Sequence, residues 1–207
     1  MNLTSQISAN KLIAIIRGVS PDQVLPIAEV LYEGGIRLVE VTMNSAEPLK
    51  VIAELAAKLG DRITIGAGTV LDLPAASDAI QAGARFILSP VWDEELIAET
   101  KKLGALSIPG AFTATEIYRA WKAGADLVKV FPALSPAYIK DIRGPLPQIP
   151  LVPTGGINLD NIAEYAKAGA IGFGIGSSLV AANVAITDQY LAALKEKASK
   201  FVQAVHY

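Results

Sequence analysis

Cysteine is absent from the 207-residue chain, and histidine occurs once, as His206 beside the C-terminus. The first absence excludes thiol nucleophiles, disulfides and thiolate-bound metals, and agrees with a reducing, cytoplasmic setting. The second removes a His-rich metal centre and an internal Ser-His-Asp triad from consideration. Basic residues are not in excess: 18 Lys and Arg stand against 20 Asp and Glu, a formal net charge of −2. With no basic stripe, a nucleic-acid partner is not expected. No apolar run approaches the roughly 20 residues of a membrane span, so no membrane association is expected either. The first dozen residues, with Asn2, Thr4, Gln6 and Asn10, lack the basic-then-apolar layout of a signal peptide.

What the chain does have is apolar residues, 52% of the total, and a regular punctuation. Apolar runs begin near Leu12, Ile36, Thr64, Phe86, Ser107, Leu127, Leu151 and Gly172, a spacing that suits one strand plus one helix. Gly35, Gly83, Gly104, Gly124 and Gly169 are each followed by one residue and then an expected strand, where a left-handed glycine would end the preceding helix. Ser20-Pro21-Asp22, Thr113 to Glu116 and Asn158-Leu159-Asp160 read as helix starts, and Asp188 to about Val205 as a closing helix. Eight such units, with no linker-like stretch, predict a single (β/α)8 TIM-barrel domain over residues 1–207. An open doubly wound sheet fits less well, since no Gly-x-Gly-x-x-Gly follows the first strand. In a barrel the chemistry sits at the C-terminal strand ends.

Lys129 is the most informative residue at such an end. It lies in Leu127-Val128-Lys129-Val130-Phe131-Pro132, with two apolar residues on each side. Burial disfavours the charged form of an amine, and a neutral amine can attack a carbonyl to form a Schiff base. The alternative is a strand-end lysine whose head reaches water or a carboxylate. Glu40, in Leu38-Val39-Glu40-Val41-Thr42, falls by period-2 alternation on one face with Leu38 and Thr42. It reads either as a general acid/base working with Lys129 or as a structural ion-pair partner of Lys129 or Arg17.

Arg17 ends the first strand and could clamp a carboxylate or simply emerge into solvent. Asn44, just past the second strand, could assist in polar recognition or simply be a turn residue, and reads first as the turn. Thr69, after Gly66-Ala67-Gly68, offers a hydroxyl to the cup, while Pro90 and a core-like Phe131 would form apolar wall. Thr154-Gly155-Gly156 and Gly176-Ser177-Ser178 close the seventh and eighth strands. Backbone N–H groups there could cradle a phosphate, or the glycines could serve tight turns alone.

Taken in order, these segments resemble the 2-keto-3-deoxy-6-phosphogluconate aldolase family, with its 4-hydroxy-2-oxoglutarate and 6-phosphogalactonate relatives. The resemblance runs from about Lys11 to about Val180. It is carried by Ile16-Arg17-Gly18, Val39 to Thr42, Gly66 to Val70, Ser89-Pro90, Ile108-Pro109-Gly110, Lys129 to Ala133, Pro153 to Gly156 and Gly176-Ser177. It implies a class I aldolase with Lys129 as the Schiff-base lysine and Glu40 as the general acid/base. It further implies phosphate contacts near Gly155, Gly156, Gly176 and Ser177, and carboxylate contacts near Arg17 and Thr69. Pyruvate and a phosphorylated keto-deoxy sugar acid would be the small-molecule partners, in a homotrimer without metal or cofactor. Some phosphogluconate-specific members carry an arginine four residues after the second-strand glutamate. Here that position is Asn44 and the arginine is Arg17, an arrangement similar to phosphogalactonate-type aldolases and to some phosphogluconate members. Rival readings are a phosphosugar isomerase, epimerase or synthase in which Lys129 is only a charge, and a non-catalytic phosphoester-binding barrel.

Overall fold

The computed structural model describes residues 3–205, so His206 lies outside the described residues. Strands and helices alternate from β1 (Leu12–Ile16) and α2 (Pro21–Glu33) through β2 (Leu38–Thr42), α3 (Pro48–Leu59), β3 (Thr64–Gly68) and α4 (Leu73–Gln81). They continue with β4 (Phe86–Leu88), α5 (Glu94–Lys102), β5 (Leu106–Ile108), β6 (Gly110–Ala111) and α6 (Ala114–Lys122). The second half holds β7 (Val128–Val130), α7 (Pro136–Arg143), β8 (Leu151–Pro153), α8 (Ile162–Lys167), β9 (Phe173–Ile175) and α9 (Asp188–Val205).

All strand pairings are parallel. One sheet runs β5-β4-β3-β2-β1-β9 and the other β6-β7-β8. A parallel bridge from Thr154 to Gly174 joins β8 to β9. The two sheets therefore form one ring, closed between the eighth and first positions, and the fold is the expected (β/α)8 barrel. The fifth position comes as two segments because Pro109, which has no N–H to give a ladder, separates them. Leu106–Ile108 pairs backward with β4, whereas Gly110–Ala111 pairs forward with β7.

The five glycines do end helices. Their φ values run from +80° at Gly104 to +114° at Gly83. The residue after each one bonds back five positions: Ile36 N–H to Leu31 O, Ala84 to Ala79, Ala105 to Thr100, Ala125 to Ala120 and Ala170 to Tyr165. This is the Schellman closure, which satisfies carbonyls the helix leaves open and turns the chain into the next strand. Among the starts, Thr113 forms a full capping box with Glu116. The start expected at Asn158 is corrected: residues 158–161 form turns, and α8 begins at Ile162. Asn158 Oδ1 accepts from Asp160 N–H and Asn161 Oδ1 from Asn158 N–H, so these amides build a turn before the helix begins.

Alternation divides the core in two. Val39, Val41, Val128 and Val130 belong to the layer between strands and helices. Ile13, Leu38, Phe86, Leu88, Leu106, Ile108, Leu127 and Val152 pack inside the barrel. An additional helix, α1 (Leu3–Asn10), precedes β1 and places the fully buried Ile7 in that inner cluster. No helix of the described residues is long and apolar enough to cross a membrane.

Candidate active site

Glu40 and Lys129 share the inward face with Leu38 and Leu127. They stand on the second and sixth positions of an eight-strand ring, so they face each other across the lumen above the apolar floor. Lys129 is 4% exposed and Glu40 fully buried. Among the described residues, neither carboxyl oxygen of Glu40 has a hydrogen-bond partner. Among the described residues, Lys129 and Glu40 form no ion pair with each other or with any other group. Burial pushes the Glu40 carboxyl above the usual carboxylate range, and the positive charges of Lys129 and Arg17 only partly offset it. An ordinary structural salt bridge would have the reverse signature.

Arg17 is exposed at the mouth but is not loose. Its Nη1 donates to Asn44 Oδ1 at 3.2 Å and its Nη2 to Thr69 Oγ1 at 3.0 Å. The guanidinium thus spans from the end of β1 to the end of β3, across the end of β2, which carries Glu40. Asn44 is accordingly more than a turn residue. The loop it belongs to is also tied to β1 by Gly18 N–H donating to Ser45 Oγ at 3.1 Å. Thr69 holds its hydroxyl there from a left-handed backbone, φ +56°, unusual for a β-branched residue.

A cavity of about 670 Å³ opens at this end. Arg17, Thr69, Pro90, Lys129, Thr154, Gly155, Gly156, Gly176 and Ser177 all line it, and Glu40 lies beneath its surface. Gly155 and Gly156 have consecutive positive φ values of +90° and +75°. Among the described residues their N–H groups donate to no backbone acceptor, and a Cβ on Gly156 or Gly176 would meet nothing within 4 Å. An anion could approach this bare backbone closely. No helix starts directly at the glycines, since α8 begins only at Ile162.

Phe131 lines the cavity as the wall residue expected, but it is not core-like: it is 39% exposed, and its ring centroid lies 5.0 Å from Lys129 Nζ. The signal was present: two positions along one strand put both side chains on the same face. Asn158 and Asn183, which carried no expectation as site residues, also line the cavity.

The fold and the facing pair define a barrel that encloses an amine and an acid at its C-terminal mouth. The sequence model of the KDPG and KHG aldolase family matches residues 3–195, and the chain belongs to that family. Its members are aldolases, lyases that cleave carbon–carbon bonds. The chain is 36% identical to the 2-dehydro-3-deoxy-6-phosphogalactonate aldolase of Escherichia coli K12, over 93% of each chain. It is 39% identical to the 2-dehydro-3-deoxy-phosphogluconate aldolase of Treponema pallidum, over 70% of each. The structure of the Legionella pneumophila KDPG aldolase, with pyruvate captured as a covalent carbinolamine, superimposes with a TM-score of 0.81. Its sequence identity is 29%, covering 99% of this chain and 97% of that one.

Proposed function

We propose that this aldolase cleaves 2-dehydro-3-deoxy-6-phosphogluconate to pyruvate and glyceraldehyde 3-phosphate through a Schiff base on Lys129. The observation that carries this reading is the enclosed Lys129 facing an unpartnered Glu40. A structural pair would be bonded, whereas two unbonded ionisable groups are free to exchange protons with a guest. The Lys129 nitrogen adds to the C2 ketone and water departs, leaving an iminium that draws electrons. Glu40, directly or through a water, takes the C4 hydroxyl proton as the C3–C4 pair moves toward nitrogen. The aldehyde leaves, C3 of the enamine is protonated, and hydrolysis frees pyruvate and the amine.

Arg17, held by Asn44 and Thr69, receives the substrate carboxylate. The bare N–H groups at Gly155 and Gly156, with Gly176 and Ser177, receive the phosphate. Thr154 is 4% exposed, and its hydroxyl makes only a long 3.4 Å contact to Val152 O. That leaves it available to a sugar hydroxyl in the wall beside Lys129, with Pro90 and Phe131 as apolar wall. No metal or cofactor enters these steps. The enzyme works in the cytoplasm as a homotrimer, an assembly that analytical ultracentrifugation tests.

A second reading is favoured by the Arg17–Asn44 contact and by the galactonate-type relative matched over nearly the whole chain. In it, the preferred substrate is the 6-phosphogalactonate epimer. Pyruvate release from the two phosphorylated epimers and from 4-hydroxy-2-oxoglutarate decides between them. A higher kcat/KM for the gluconate epimer supports the first reading, and a higher value for the galactonate epimer replaces it with the second. Release from none would remove the proposed substrate class.

A further inference from the structure

The inner face of β3 carries no side chain where Glu40 leans on it. Glu40 pairs in register with Gly66, yet its carboxyl group lies against Gly68, one inward step nearer the C-terminal mouth. A Cβ on Gly68 would fall 1.7 Å from Oε1, 2.3 Å from Cδ and 2.7 Å from Cγ of Glu40. Gly68 is a strand residue without a positive φ, so its backbone does not demand glycine. Its bareness serves its neighbour. One step below, a Cβ on Gly66 would fall 2.1 Å from the Phe86 ring, which therefore fills the space into which the acid could otherwise drop.

Hydrogen bonds and ion pairs normally hold a carboxylate in place, and Glu40 has neither. Packing has to do it. We infer that Gly68 is a positioning residue for the aldolase reaction, its bare Cα forming the socket that holds the Glu40 carboxyl group at the mouth side of the lumen. The inference rests on the proposed role of Glu40, and misplacement of a reacting group by an ångström is enough to slow a proton transfer greatly.

The test uses pyruvate alone, so the identity of the sugar epimer does not enter. In the half-reaction, the Lys129 iminium of pyruvate gives a methyl proton to Glu40. The C–H pair becomes the C2–C3 double bond, and the C–N double-bond pair moves to nitrogen, leaving a neutral enamine. In D2O the reverse step returns a deuteron. NMR reads the exchange, and borohydride labelling of Lys129 reads iminium formation separately.

Gly68→Ala should label Lys129 within about twofold of the unmodified chain while exchanging roughly tenfold or more slowly. In a Glu40→Ala background, where the extra methyl has room, the same substitution should change exchange by less than about twofold. Parent-like exchange in Gly68→Ala, or an equal loss in both backgrounds, would overturn the inference. Should Gly68→Ala fail to fold, Glu40→Asp carries the test, because its shorter side chain withdraws the carboxyl from Gly68. Exchange slowed roughly tenfold with labelling intact supports the socket, and parent-like exchange refutes it. If the unmodified chain takes no label, the lysine chemistry itself fails, an outcome distinct from a positioning failure.

Discussion

The barrel has a cavity at each mouth. The one at the N-terminal end is the larger, about 780 Å³ against about 670 Å³. It lies under β3, β4 and β5, among the Gly60, Gly83 and Gly104 turns that end α3, α4 and α5, with α1 on one side. Its ionisable lining residue is the exposed Arg85, and its neutral polar pair, Thr64 and Gln6, is already hydrogen-bonded. At the other mouth, Lys129 and Glu40 are buried without bonds to satisfy them. Volume does not separate the two ends; the state of their polar groups does. Residues that turn the chain need only accept a backbone shape, whereas residues that act must be held in an environment they would otherwise avoid.

Substitutions should therefore act differently at the two ends. Lys129→Ala is expected to lower cleavage by about 10³-fold or more, with the melting curve of the folded chain retained. Steady-state kinetics and calorimetry check both halves. Glu40→Gln should reduce kcat by roughly 10²-fold or more, with a smaller change in KM.

The same substitution should raise stability at neutral pH. The folded-state pKa of Glu40 lies above its unfolded value, with desolvation the main cause. Between those two values the folded chain holds the extra proton, so the Glu40 contribution is present at acid pH and lost as pH rises through the folded pKa. Glu40→Gln should abolish this decline. Melting temperatures measured from mildly acid to neutral pH should diverge in favour of the variant as pH rises, and parallel curves would contradict the assignment.

Thr69→Gly should relieve a left-handed threonine while removing an anchor of Arg17. Stability is expected to hold or improve by up to about 1 kcal/mol, while KM rises roughly tenfold with kcat nearly unchanged. The smallest kinetic effect belongs to the opposite mouth. Gly104→Ala, at φ +80° with nothing within 4 Å of the added methyl, should cost about 1 kcal/mol of stability and leave kcat and KM unaltered. A kinetic defect there would erase the contrast between the ends.

Most of the barrel was legible because its devices are local. A glycine that ends a helix announces itself two to four residues before a strand, and inward alternation places Glu40 with Leu38 and Lys129 with Leu127. What escaped depends on contacts between distant segments. The interruption at Pro109 reflects which neighbour each half of a strand pairs with. The place of helix α1 is set by Ile7 entering the barrel interior. Asn44 gains its part from an arginine 27 residues earlier. Phe131 looked like core because it is aromatic and flanked by apolar residues, but the end of a barrel strand opens onto the cavity rather than the packed layer. Sequence distance likewise hid the socket: only the fold shows that Glu40 packs against Gly68.

The central claim is that the enclosed amine of Lys129 bonds covalently to a ketoacid. Incubation with pyruvate and borohydride, digestion and mass spectrometry test it in one measurement. The account predicts a single reduced pyruvyl adduct on the peptide carrying Lys129, and label on another lysine or on none would contradict it.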